Sequence, residues 1–257
     1  MLTNTTLSFL AHKVIQEYLN LPFSELSGIR CPYFNNAKLG QRGQLKVLVG
    51  KGTPAEIVDE AKIISIQYKQ NIISSDITAD DIRKFLIENN LGIDCSGFIT
   101  NVMQAELSGR GINLAKRIFI TPKSNVLRWL ISRLRPVEQI SVAVLADEKN
   151  TETINDLSSI QAGDMIMILK TGPKKTRDHI LLVTETTANI INYVHARAWS
   201  SEGRYGHGVS SGTITIMEPE KVLLDQLWEE KGFKNENNET FLEAKQAAIV
   251  AVRRFRF

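Results

Sequence analysis

The spacing of apolar residues changes character near residue 160. Before that point apolar positions recur at three and four residues. Leu7, Leu10, Val14, Ile15 and Tyr18 predict an amphipathic helix over 7–19. Thr53-Pro54-Ala55-Glu56 is a helix start with Pro at the first position, and its helix runs to about Gln70. Thr78-Ala79-Asp80-Asp81 opens another, closed by Asn90-Leu91-Gly92. Phe98, Ile99, Val102, Met103 and Leu107 then define a helix with Asp94 at its head. A further helix is predicted over 124–130, ending before Pro136. Two passages break the pattern. Pro32-Tyr33-Phe34-Asn35-Asn36 is rich in turn residues, and Leu45-Lys46-Val47-Leu48-Val49 reads as a short strand stopped by Gly50-Lys51-Gly52.

After residue 160 short apolar or alternating blocks take over, at 164–169, 178–184, 189–196, 212–217 and 248–257. Short strands joined by turns imply an antiparallel sheet. Helices followed by sheet give the α+β class. Residues 1–85 are expected to be a helical N-terminal extension packed on a second unit, 86–257. No Pro/Ser/Gly-rich linker, repeat or low-complexity tract separates them.

Composition narrows the possibilities. With 257 residues, 43% apolar, the chain can build a large core. A net charge of +3 gives no general argument for nucleic acid or membrane. The basic stretch 110–135 fits a solvated helix face better than a surface for an anionic polymer. No segment has the form of a signal peptide or the apolar length of a transmembrane helix. The default expectation is therefore cytoplasmic, with export by a non-classical route left open. Two cysteines, Cys31 and Cys95, cannot make a disulfide framework or a cysteine-rich zinc site; both read as free thiols.

Candidate chemistry concentrates at Asp94-Cys95-Ser96-Gly97-Phe98. A cysteine in the first turn of a helix faces unpaired N–H groups and the positive end of the dipole, which favour a thiolate. Such a nucleophile needs a base, and His179 and His195 lie downstream on predicted strands. A buried structural cysteine is the alternative. Cys31 has no base nearby and reads as structural. His12 has no visible partner. His207, between two glycines, is expected in an exposed loop. Gly50-Lys51-Gly52-Thr53 lacks the spacing of a phosphate-binding loop and reads as a plain strand-to-helix turn.

Taken together, several segments resemble the NlpC family of bacterial cell-wall cysteine peptidases. Gly92-Ile93-Asp94-Cys95-Ser96-Gly97-Phe98 resembles its nucleophile motif. Ile160-Gln161-Ala162-Gly163-Asp164-Met165-Ile166-Met167 is similar to its strand entry, and Asp178-His179-Ile180-Leu181-Leu182-Val183 stands where the family has its catalytic His. Tyr193-Val194-His195-Ala196 resembles the strand carrying the third polar residue, and Ala251-Val252-Arg253-Arg254-Phe255 the closing strand. The likeness covers about residues 85–217 and the last strand.

The resemblance implies a papain-like fold and thiol hydrolysis of amide bonds in murein-type peptides, such as the γ-D-glutamyl–diamino acid link. It implies a peptide or peptidoglycan-fragment substrate and no metal or cofactor. Cys95 would be the nucleophile, His179 the base and His195 its orienting partner, with Asp94 and Ser96 supporting the oxyanion region. Tyr33, Trp199 and His207 are expected near the substrate. Three departures stand out. Residues 108–157 lengthen the Cys-to-His interval. Leu181 replaces a small residue. The family's upstream Tyr has no close counterpart unless Tyr33 serves, with 37–85 as an insertion. A papain-like acyltransferase and a catalytically silent binding module of the same fold are the alternatives.

Overall fold

A computed structural model describes residues 1–24, 26–34, 46–70, 72, 76–121 and 135–257. The helix predicted over 124–130 lies outside these residues, as do Asn35, Asn36 and Leu45. Among the described residues, four helices of two turns or more lie ahead of the main run of strands: α1 (Phe9–Leu19), α2 (Pro54–Gln67), α3 (Ala79–Glu88) and α4 (Cys95–Ser108). Each is capped by the residue its sequence offers. Thr53 and Glu56 form a reciprocal capping box on α2, and Thr78 and Asp81 one on α3. Asn90, at φ +57°, makes the left-handed turn that closes α3. The Asp94 side chain accepts from the Gly97 N–H and starts α4.

The sheet has nine strands: β1 (Thr5–Thr6), β2 (Thr151–Ile154), β3 (Met165–Thr171), β4 (Arg177–Thr187), β5 (Ile190–Arg197), β6 (Gly208–Thr215), β7 (Leu227–Glu230), β8 (Phe233–Lys234) and β9 (Ile249–Phe255). The order is β2-β9-β3-β4-β5-β6-β7-β8, with β1 added to the end of β4; every pairing is antiparallel. This is the α+β class expected. The C-terminal strand closes between β2 and β3, so the last residues complete the sheet.

Both faces of the central strands are covered, which is why β3 and β4 read as continuous apolar runs. Met165, Met167, Ile180, Leu182, Val194 and Ala196 face α1 and α4. Ile166, Ile168, Leu181, Val183 and Tyr193 face the opposite way, toward Trp228 and toward Phe241 and Ala244 of a C-terminal helix, Glu239–Gln246. The N-terminal helices share the first cluster with α4. Two segments of the family resemblance hold each other. Arg254 of β9 donates to both oxygens of the fully buried Asp164, at 2.7 and 2.8 Å, and Gly163, at φ +92°, makes the turn that presents Asp164.

The structure corrects the sequence reading in several places. Residues Lys46–Val49 form a 3-10 turn, not a strand. Lone extended residues without a sheet neighbour have no ladder to join, and Val47 and Val49 bury their side chains from a tight turn instead. Strands β2, β7 and β8 and the C-terminal helix were not anticipated; they are short, and their patterns are weak.

Candidate functional site

Cys95 is the first residue of α4, and it is 7% exposed. The Gly50-Lys51-Gly52 segment lies directly against the helix head. Asp94 N–H donates to the Gly50 carbonyl at 3.0 Å. Gly97 is required by this contact: a Cβ there would penetrate the Gly50 carbonyl oxygen. The glycine of the Cys-Ser-Gly motif is thus a packing residue.

Three donors meet on Asp94 Oδ1: the Gly97 N–H at 2.5 Å, the Lys51 ammonium at 2.9 Å and the Ser96 hydroxyl at 3.0 Å. In the first turn of α4 the Gly97 and Phe98 N–H groups are used by Asp94, and the Ser96 N–H by the Cys95 sulfur. The Cys95 N–H has no partner among the described residues and is the free donor of the turn. Ser96 is buried and bonded to Lys51 and Asp94, so its hydroxyl supports the helix head.

On the sheet, His179 and His195 are diagonal neighbours on β4 and β5. His179 Nε2 and His195 Nδ1 are 2.8 Å apart, and His195 Nε2 stands 3.1 Å from Oε2 of Glu230 on β7. All three are buried. Glu230 also accepts from Arg197 Nε at 2.6 Å and from the Thr240 hydroxyl at 3.0 Å. Burial acts to raise the Glu230 carboxyl, but the His195 ring and the Arg197 guanidinium outweigh it and hold it well below the usual range. A carboxylate only accepts. His195 thus donates from Nε2 to this carboxylate, and where its Nδ1 carries no proton it accepts there. His179 then donates from Nε2, which leaves its Nδ1 as a lone-pair base. Three buried side chains in series thus select one tautomer of His179.

Alternation along β4 and β5 points both imidazoles to the face of Leu181 and Tyr193, and the His195 ring packs edge-on to Tyr193. α4 packs on the other face. Among the described residues no hydrogen bond joins Cys95 to His179. Glu243, on the C-terminal helix and bonded to Thr171 at 2.9 Å, exerts its charge on both the Cys95 thiol and the His179 ring, so both lie within reach of one carboxylate.

The ionisation of Cys95 departs from the expectation of a ready thiolate. Burial, with the Asp94 carboxylate adding to it, pushes the thiol up to about 12; Lys51 and the Ser96 N–H pull the other way. Desolvation outweighs the helix terminus here. Burial likewise lowers His179 to about 4, with Glu243 opposing. The free protein thus holds a neutral thiol and a neutral imidazole, not a thiolate–imidazolium pair.

The remaining predicted residues are dispersed. Tyr33 forms a parallel bridge with Ile93, two residues before Cys95, so it lies beside the segment that leads into α4. Trp199 is buried, donates to Thr240 at 3.0 Å and stacks with Arg197 at 3.8 Å, so it packs among the partners of Glu230. His207 is half-buried, not exposed, with Nε2 3.1 Å from the Trp199 carbonyl. Cys31 is fully buried against the Pro32 carbonyl, and burial raises its thiol further than that of Cys95. Sequence reasoning missed Glu230, Arg197 and Lys51. Glu230 sits in a four-residue strand next to another glutamate, and nothing local marks it. No cluster of three or more metal-ligating side chains occurs among the described residues, and no helix among them is long and apolar enough to cross a membrane.

Comparison with protein-family models, with curated proteins and with solved structures finds no match to this chain.

Proposed function

We propose that this protein is a papain-like cysteine hydrolase of the NlpC type, cleaving an amide bond in murein-type peptides, with γ-D-glutamyl–diamino acid links as the first substrate class. The observation that carries the reading is the buried His179–His195–Glu230 series, which leaves one imidazole nitrogen free as a base, in a chain that also places a cysteine in the first turn of a capped helix. Polar side chains in series inside an apolar sheet are costly unless paired, and each link of this series is a hydrogen bond.

In this reading His179 Nδ1 takes the Cys95 proton as Sγ attacks the carbonyl carbon. Because the resting pair is neutral, proton transfer accompanies attack. The oxyanion is met by the unpaired Cys95 N–H. The C–N bond breaks, the amine leaves with the proton held by His179, and water hydrolyses the thioester with His179 again as base. Among the described residues Cys95 and His179 make no hydrogen bond, and α4 packs on the sheet face opposite the imidazoles, so this reading requires the head of α4 and the start of β4 to approach at the strand ends when substrate binds.

The test is incubation with L-Ala-γ-D-Glu-meso-diaminopimelate peptides, product analysis by mass spectrometry, and trapping of the acyl-enzyme. Expected are cleavage at the γ-glutamyl link and a thioester adduct on Cys95, both lost in Cys95→Ala and His179→Ala. Cleavage that persists in Cys95→Ala, or no turnover and no adduct across a panel of such peptides, overturns the reading.

A further inference from the structure

Lys51 is 5% exposed, yet it is an ammonium with three N–H donors and three acceptors. These are Asp94 Oδ1 at 2.9 Å, the Ser96 hydroxyl at 2.6 Å and the Ile140 carbonyl at 2.8 Å. Its contact with Asp94 is a buried ion pair, and the Ser96 hydroxyl and the Ile140 carbonyl complete its partners.

The position of this charge matters for Cys95. Asp94 collects three donors on Oδ1, one of them the Lys51 ammonium, and it caps α4 one residue before the nucleophile. A cap carboxylate stabilises the helix start but opposes a thiolate next to it. Besides Asp94, the charged groups that act on Cys95 are Lys51 and Glu243 of the C-terminal helix. Of these, Lys51 is the cation in contact with the cap.

We propose that Lys51 is a positioning residue for the nucleophile: its buried ammonium, 2.9 Å from the Asp94 cap, offsets part of the cap's charge, so the cap holds the helix start while opposing ionisation of Cys95 less than it would alone. The surrounding backbone has the same purpose. Tyr18 donates to the Gly52 carbonyl at 2.7 Å, and Asn101 of α4 reaches the Lys51 and Gly52 carbonyls at 3.3 Å, so the segment carrying Lys51 is fixed to α4 itself. The inference rests on the reading of Cys95 as nucleophile.

The experiment is the rate of iodoacetamide alkylation of Cys95 from pH 7 to 9.5, read by peptide mass spectrometry, with buried Cys31 as internal reference. Lys51→Met, Asp94→Asn and the double variant are compared, each checked by circular dichroism and thermal melting. Lys51→Met should slow alkylation about tenfold at fixed pH, corresponding to about one unit of pKa. Asp94→Asn should speed it, since Asn still caps a helix without charge. The double variant should return to within about threefold of the native rate, because the charge to be cancelled is gone. A purely structural Lys51 gives equal loss in Lys51→Met and in the double variant; that result overturns the proposal, as does an unchanged rate in Lys51→Met. Should Lys51→Met fail to fold, Asp94→Asn alone decides: no acceleration refutes the charge argument. Cys95 inert in every folded variant removes the nucleophile reading itself. Peptide hydrolysis is scored separately, so a silent enzyme with the expected alkylation pattern defeats the proposed activity and leaves the role of Lys51 intact.

Discussion

Replacing Glu230 by Gln changes almost no volume, yet it removes the one buried negative charge that orders the imidazole series. In the native protein Glu230 accepts from Arg197, His195 and Thr240 with both oxygens, at 1% exposure. A glutamine offers one acceptor oxygen and an NH2 group, so either Arg197 or His195 must face a donor. Removing one partner of a buried ion pair typically costs 3–5 kcal/mol. Arg197 keeps Glu202 at 2.6 Å, so the loss should sit at the low end, about 3 kcal/mol. Urea unfolding at pH 7 should show this as a midpoint lower by about 1 M. The pH dependence has a definite sign. The folded carboxyl lies below its unfolded value, so its stabilisation is complete above the ordinary carboxyl range and is lost as pH falls toward the folded value. The gap between native protein and variant should therefore be constant from neutrality to about pH 5 and narrow below that. Activity should fall further than stability. If Gln turns its NH2 to His195, the ring accepts on Nε2 and donates from Nδ1, His179 accepts on Nε2, and its Nδ1 carries a proton where a base is needed. A wrong tautomer of this kind costs on the order of 10⁴ in kcat in serine proteases. An unfolding midpoint within experimental error of native, together with full activity on the peptide substrate, would refute both the buried-charge and the tautomer arguments.

Two further outcomes follow from the same geometry. His179, lowered from 6.5 to about 4, stays neutral in the fold while the unfolded chain protonates, so stability is complete above about pH 6.5 and falls by about 3 kcal/mol as pH drops to 4; His179→Gln should flatten that part of the urea-midpoint profile, and an identical profile would contradict the burial argument. Gly97→Ala drives a methyl into the Gly50 carbonyl at the helix head, so it should lower stability by about 2 kcal/mol or more and slow Cys95 alkylation, despite the better helix propensity of alanine; thermal melting showing stabilisation would mean that the segment yields without cost.

Much of this architecture is written locally. The capping pairs Thr53/Glu56 and Thr78/Asp81, the Asp94 cap and the left-handed Asn90 are interactions between residues within four positions, which a sequence displays directly. The strands β3 and β4 announce themselves because burial on both faces demands continuous apolar runs, and β5 and β9 because short apolar blocks open each of them. The candidate cysteine and both histidines were visible for the same reason: each sits in a segment whose element was legible. Three decisions were made only in three dimensions. Glu230 becomes part of the site because β7 pairs beside β6 and carries it under His195, 35 residues away along the chain. Lys51 meets Asp94 across 43 residues. The ionisation of Cys95 is decided by how completely the fold excludes water, and desolvation there outweighs the helix terminus that the sequence advertises. Sequence thus determined elements and candidate groups, since propensity and capping are short-range. Tertiary structure determined partners and protonation, since charge and dielectric depend on everything that packs nearby.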